Sequence, residues 1–410
     1  MREGVQWTPQ RIAWTALSMA WDDGSTMQAR FQHACQLGHD LHRHWKLGDS
    51  YSGFTAALGK WSPEMVPGIV RRFQQQMRVM AGSRWRARGW CAFAADGTRI
   101  ETPHTAANEA GLGCAGREKS APQVFLTSLW HMGLGLPWDF RTGPGTDSER
   151  RHLADMLDDL PARSLIVADA GFCGYELCQR IRQRGHSFLL RVGSNVTLLT
   201  DLGYHFEQKD GLVYLWPDKF RDLPPLVLRL IVLERGKQTI YLLTNVLDPE
   251  QLSDEDAAVL YEMRWGVEVG YRSYKQTLSR RTMKSRTPET CLLESQWTML
   301  GLWLLGLLCV PEQLRSQRNP RRWSTALARD AVRCAMRHPL RPCRRRFLAD
   351  QLRDAVHDSY VRLRSKAARN YPRKKREKPP GPPKIKPATS RQIHLATRLR
   401  HKLDPEPWTA

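Results

Sequence analysis

The sequence lacks the features that would place it in a membrane or outside the cell. The apolar, uncharged stretch Trp297 to Val310 has only 14 residues, short for a bilayer span but suited to a buried helix. The N-terminus has no basic-then-apolar run, so no signal peptide is expected. No lipidation motif or basic amphipathic anchor stands out. The nine cysteines are odd in number, scattered and without a CxxC pair, so reduced thiols in a cytoplasmic protein are expected. No internal repeat is visible. Acids are scarce where bases are dense: residues 311–410 carry 27 Lys and Arg against 8 Asp and Glu, a net of +19.

That deficit accounts for most of the formal charge of +22, because the first 310 residues carry 36 bases against 33 acids. A nearly neutral body with a strongly basic C-terminal quarter points to a polyanionic partner, most simply nucleic acid. With 410 residues the chain can build a large core in two or three domains.

The pattern changes along the chain. Residues 1–88 read as helical: Ser25 is placed to cap a helix running to Gly38, and Pro63 to Met80 has helical spacing. From residue 89 to 195 short apolar runs, such as Trp90 to Ala95, Pro122 to Trp130 and Ser164 to Ala168, alternate with helical segments, which implies an α/β sheet. Residues 196–250 read as all-β, with strands expected at 212–215, 227–233 and 239–246 and a turn at Arg235-Gly236. Residues 251–312 read as two helices, 313–368 as basic helices, and 369–410 as a basic, proline-rich tail, expected to be extended from Asn370 to Pro387.

Tyr261, Arg264, Glu268 and Lys275 fall within an arc of roughly 60° if residues 254–277 form one α-helix. Ser253 can cap it, with Asp254, Glu255 and Asp256 in the first turn. A carboxylate with two cations and a hydroxyl on one face suits phosphate chemistry: the acid holds a metal, and the others grip phosphate oxygens. The plainer reading is a solvated face with an ordinary Arg264–Glu268 pair. Gly266 and Gly270 fit either a close approach of DNA or a tightly packed helix.

Asp96 and Asp169 each follow a short apolar run and precede a glycine. At strand ends in an α/β sheet such groups line the functional crevice. Taken singly, Asp96-Gly97 is also a turn pair and Asp169 a helix cap. Three converging carboxylates would need cations between them, and Mg²⁺ is the natural hard ion for them. His33, Cys35, His39, His42 and His44 match no standard zinc spacing.

With these residues in place the chain resembles the DDE transposases of the insertion-sequence-four family, whose signature Tyr-x2-Arg-x3-Glu-x6-Lys is matched by Tyr261, Arg264, Glu268 and Lys275. Asp96-Gly97-Thr98-Arg99-Ile100 and Asp169-Ala170-Gly171-Phe172 resemble its two aspartate segments, and Lys284 to Glu289 and Arg369 to Pro372 resemble further segments. His104 stands where many relatives carry arginine.

The resemblance implies an RNase H-like catalytic core with an all-β insertion before the glutamate helix, a helical N-terminal DNA-binding region and a basic helical C-terminal region. It implies that Asp96, Asp169 and Glu268 bind two Mg²⁺ ions, with Mn²⁺ able to substitute, and that Tyr261, Arg264 and Lys275 contact DNA phosphates. The reaction it implies is cut-and-paste transposition through a hairpin, by a homodimer on paired inverted-repeat ends, acting on double-stranded DNA in the nucleoid. The competing functions are a domesticated or inhibitory DNA-binding protein and a nuclease of the same fold without strand transfer.

Overall fold

The computed structural model describes residues 6–113, 121–204, 211–236, 238–337, 346–357 and 381–403. The chain divides into two compact units. Unit 1 is Met1–Pro161 with Met263–Val356, and unit 2 is Ala162–Glu262 with His357–Ala410.

Unit 1 opens with helices α1 (Pro9–Trp21), α2 (Met27–Leu41) and α3 (Tyr51–Ala81). Each starts at a hydroxyl cap, Thr8, Thr26 and Ser50, whose side chain accepts a backbone N–H of the first turn. Thr26 rather than Ser25 caps α2. Helix α3 begins twelve residues before the expected Pro63 and runs through both Pro63 and Pro67. An interior proline deletes one helical hydrogen bond, and packing on a second helix outweighs that loss here.

Next come β1 (Cys91–Glu101), α4 (Ala106–Leu112), β2 (Gln123–His131), β3 (Leu136–Pro144) and α5 (Glu149–Ala154). Strands β1, β2 and β3 form antiparallel pairs in that order.

Unit 2 contributes β4 (Ser164–Ala168), α6 (Tyr175–Gln183), β5 (Ser187–Val192), β6 (Thr197–Thr200), β7 (Leu212–Leu215), β8 (Leu226–Arg235) and β9 (Gln238–Thr244), then α7 (Asp254–Met263), which ends at the boundary with unit 1. Strands β8 and β9 pair as a hairpin closing at Arg235 and Gln238, around the expected turn.

The chain re-enters unit 1 with α8 (Trp265–Arg272), α9 (Pro288–Arg315), α10 (Thr325–Arg337) and α11 (Leu348–Arg353), and ends in unit 2 with β10 (Lys384–Pro387) and α12 (Ser390–Leu399). Within unit 2 the strands lie in the order β10-β6-β7-β8-β9-β5-β4. The β4–β5 and β10–β6 pairs are parallel and the others antiparallel. The architecture is mixed α/β.

Helix α9 is the spine of unit 1. By length and composition it could cross a membrane, but 78% of its most apolar window is buried inside the protein, so it is a core helix. The indoles of three tryptophans tie the N-terminal helices to it: Trp21 Nε1–H donates to Gly301 O (2.9 Å), Trp297 Nε1–H to Ser62 Oγ (2.9 Å), and Trp303 Nε1–H to Met77 Sδ (3.2 Å). Gly301 makes room for α1, since a Cβ there would sit 2.8 Å from that of Ala20.

Two expectations need correction. The 369–410 segment is not a plain tail: within its described part, residues 384–387 are extended, as a strand, but residues 390–399 form a helix. Cys35, Cys91, Cys173, Cys178, Cys291 and Cys309 are free thiols, but Cys334 is disulfide-bonded, so the thiols are not all reduced. The Arg369 to Pro372 motif lies outside the described residues.

Candidate active site

Asp96 lies in the middle of β1, not at its end. The strand runs on through Gly97 to Glu101, with Asp96 opposite Ser128 and Gly97 opposite Thr127. Pairing with β2 overrides the turn preference of Asp-Gly. Gly97 is required by packing as well, because a Cβ there would meet the Phe125 ring at 2.9 Å. Asp96 Oδ1 accepts the Gly97 N–H (2.9 Å). Burial pushes the Asp96 carboxyl up to about 6, against the opposing pull of the Gly97 N–H and Arg264, with the negative charges of Glu268 and Glu149 adding to the rise.

Glu268 sits on α8, where Arg264 Nη2–H donates to its Oε1 (3.1 Å). The Arg264 side chain is 8% exposed and that of Glu268 33%. The signature helix is not one uniform α-helix. Arg264 caps α8 in helical geometry, and residues Ser273–Thr277 form a π-helical turn. Leu278 N–H donates to Ser273 O and Arg280 N–H to Lys275 O, each five residues back. The seven-residue step from Glu268 to Lys275 is therefore not two even α turns, and the arc computed for a uniform helix does not hold at Lys275. Lys275 Nζ instead donates to Arg99 O of β1 (2.9 Å).

The two glycines of this segment behave differently. Gly266 has open space where a Cβ would be, whereas a Cβ on Gly270 would lie 2.3 Å from the Trp130 ring. We expect Gly270→Ala to force α8 off Trp130 and cost about 1–3 kcal/mol, visible as a lowered thermal midpoint. An unchanged midpoint would show that the contact is loose.

A buried relay links the same elements. Trp130 Nε1–H donates to Ser128 Oγ (2.8 Å), Ser128 O–H donates to Tyr271 Oη (2.8 Å), and Tyr271 O–H donates to Asp96 O (2.5 Å). Burial holds the Tyr271 phenol well above its ordinary range, so it remains a donor. Met283 N–H donates to Glu101 O (2.8 Å). The segment from α8 to Met283 thus meets β1 at the carbonyls of residues 96, 99 and 101. Sequence reading missed Tyr271, Ser128 and Trp130. Tyr271, three residues beyond Glu268 and on its helix, was the one with a usable signal.

Within unit 2, Asp169 directly follows the fully buried strand β4 and caps a 3₁₀ turn, its Oδ1 accepting the Ala170 N–H (2.8 Å). Its cap geometry and its strand-end position coexist. Tyr261, on α7, directs its hydroxyl at Asp169 Oδ1 (3.5 Å). Unit 1 therefore gathers Asp96, Arg264, Glu268 and Lys275, and unit 2 gathers Asp169 and Tyr261. Among the described residues no group of three His, Cys, Asp or Glu side chains forms a metal cluster. The N-terminal histidines are engaged otherwise: His33 with Asp22 (3.2 Å) and His42 stacked on Trp45. His104 pairs with Glu109 (2.9 Å).

The donor chemistry fits a hard divalent cation. Asp96 is a mostly buried carboxyl with no ion pair among the described residues, and it carries the desolvation cost that a bound cation would relieve. Carboxylate oxygens are the donors such ions prefer.

Comparison with known proteins identifies the family of the chain. Residues 89–303, just over half of the chain, match the family model described as "Transposase DDE domain". The transposase InsG for insertion sequence element IS4 of Escherichia coli K12 is 28% identical over 233 residues, 52% of this chain and 51% of the relative. The protein of insertion sequence element IS4SA from Synechocystis is 20% identical over 196 residues, 47% of this chain and 55% of the relative. The chain thus spans about half the length of the curated relatives it matches. The piggyBac transposase in a synaptic complex with hairpin DNA aligns at a TM-score of 0.40 and 11% identity, over 88% of this chain and 80% of that one. The chain belongs to the family of transposase DDE domains.

Proposed function

We propose that this protein is a DNA transposase that moves an insertion sequence by cut-and-paste transposition, with Asp96, Asp169 and Glu268 as its catalytic acids. The observation that carries the proposal is the state of Asp96: a mid-strand carboxyl, mostly buried, with its pKa raised to about 6 and set beside Arg264 and Glu268. A buried acid without an ion pair is costly for a protein that needs it only structurally.

Enzymes of this family use divalent metal ions, and Asp96, Asp169 and Glu268 are the residues that would hold them, two Mg²⁺ in our reading. When bound, such ions neutralise the phosphate oxygens and lower the pKa of an attacking water. The protein's own groups act around that chemistry. Arg264 holds the Glu268 carboxylate in one orientation through a charge-assisted hydrogen bond. Tyr271 fixes the backbone of Asp96. The Tyr261 hydroxyl near Asp169 is placed to orient that carboxyl. We assign Tyr261, Arg264 and Lys275 to the phosphates of the transposon end; Lys275 would leave the Arg99 carbonyl to reach one. The RNase H-like core, double-stranded inverted-repeat ends as substrate, and a homodimer on paired ends belong to the same reading.

Each proposed step is an in-line displacement at phosphorus. Water attacks as the 3′-oxygen leaves; the freed 3′-hydroxyl attacks the opposite strand, expelling the 3′-oxygen of the flanking DNA, to make a hairpin; water attacks the hairpin phosphodiester and releases that 3′-hydroxyl again; and the 3′-hydroxyl attacks target DNA, expelling a target 3′-oxygen. Purified protein incubated with its end DNA and Mg²⁺ should nick the ends, and Asp169→Ala should reduce nicking by at least about a thousandfold. Robust nicking by Asp169→Ala would show that the acids are wrongly assigned. Binding without nicking by the wild type would favour a domesticated DNA-binding protein.

A further inference from the structure

The end of unit 2 carries a second feature that the catalytic reading does not use. Residues 381–403 contain Lys384, Lys386, Arg391, Arg398, Arg400 and Lys402 and no acid. Lys384 and Lys386, two apart on β10, project to one side of the strand, and both are exposed. On α12, Arg391, His394 and Arg398 fall within about 60° of one another, and all three are exposed. Lys384, Lys386, Arg391 and Arg398 form no ion pair among the described residues.

The cations sit on a fixed frame. Strand β10 adds in parallel to β6, with Lys384 N–H donating to Val196 O (2.9 Å) and Ala388 N–H to Thr200 O (2.8 Å). A capping box of Thr389 and Gln392 starts α12. Its inner face buries Ala396 and Leu399, and Tyr204 O–H donates to Ala396 O (3.1 Å). A protein that anchors a row of like charges without internal partners accepts self-repulsion that a polyanion would relieve.

We infer that β10 and α12 form a clamp for the sugar–phosphate backbone of duplex DNA, separate from the catalytic acids and indifferent to base sequence. The inference rests on the DNA reading above and names the surface that would hold the duplex. An acidic membrane is the weaker partner. The outer face of α12 presents Arg391, His394, Thr397 and Arg398 and no large apolar group to insert between lipids. Ile385, 50% exposed, is the only exposed large apolar side chain in residues 381–403.

The test compares the full chain with the variant Lys384→Gln, Lys386→Gln, Arg391→Gln, Arg398→Gln. Binding to a duplex of about 30 base pairs lacking transposon ends is followed as salt is raised. Four lost phosphate contacts should reduce the slope of log affinity against log salt by about 3–4 and weaken binding at least about tenfold in 0.1 M salt. An unchanged slope would overturn the clamp, as would a variant that keeps DNA affinity but loses binding to phosphatidylserine vesicles. A matching thermal midpoint certifies the fold, and a lowered one calls for the milder pair Lys386→Gln, Arg398→Gln, with half the change in slope. At saturating protein and low salt the variant should nick transposon ends at the wild-type rate. Failure of the wild type to bind or nick DNA would refute the parent reading, whereas failure of the variant to differ would refute the clamp alone.

Discussion

Asp96→Asn should abolish DNA cleavage and, in metal-free protein, raise stability. The catalytic loss should be at least about a thousandfold, as expected when one member of a group acting as a unit is removed. The stability gain has a separate cause. The folded Asp96 carboxyl has its pKa pushed up to about 6 by burial, above the roughly 3.9 of an unfolded chain. At neutral pH both states are ionised, and the native state bears the cost of a charge held out of water. Native protein takes up this proton first as acidity increases. The group's penalty therefore shrinks as pH falls through 6 and vanishes below about 4. Asparagine should remove about 1–3 kcal/mol of penalty at pH 7, so denaturant midpoints of wild type and variant should differ at pH 7 and converge near pH 4. Equal midpoints at pH 7 would mean that Asp96 is better solvated than its position implies. A variant that is dead but more stable separates a functional acid from a structural one, because a structural acid costs stability when lost.

The largest loss of stability should come from Glu294→Ala. Glu294 and Arg280 are each 1% exposed and lie 3.1 Å apart. Arg280 Nε–H itself donates to Thr298 Oγ1 (3.0 Å), so the pair is held by charge rather than by a direct hydrogen bond. Glu294 Oε2 also accepts the backbone N–H groups of Lys284 (3.0 Å) and Ser285 (2.9 Å). Removing the carboxylate leaves a buried guanidinium uncompensated and two backbone donors unsatisfied. A cost of about 3–5 kcal/mol is expected, measured by chemical unfolding. The neighbouring Met283 is bonded to β1, so the change should also loosen the strand that carries Asp96. Arg280→Met with Glu294→Leu should recover much of the loss, since well-packed apolar pairs often replace buried ion pairs. A loss under about 1 kcal/mol for Glu294→Ala would show that water reaches the pair.

The sequence disclosed elements whose signal is local. The apolar run before Asp169, the capped start of α7 at Ser253, and the hairpin at Arg235-Gly236 can each be read from neighbouring residues, and each stands where expected. Features governed by distant partners were not legible. Asp-Gly at 96–97 reads as a turn until β2 is there to pair with it. Lys384 to Pro387 reads as a loose tail until β6 offers its backbone. The proline-bearing α3 starts well before Pro63 because α9 packs against it. In the site, the Arg264–Glu268 pair was legible from spacing. The π turn that resets Lys275 was not legible; within it Tyr274 is buried and its hydroxyl donates to the distant Ser295 Oγ (3.0 Å). Ser128 and Trp130 gave no sign, because their partners Tyr271 and Gly270 lie some 140 positions away.

The indole bolts that join α1 and α3 to α9 have a practical outcome. Pruning the first 88 residues in search of a separable reader would strip the cover from a 28-residue greasy rod. The remnant would expose a large apolar surface and be prone to aggregate. Its insolubility would then say nothing about whether the missing helices recognise DNA.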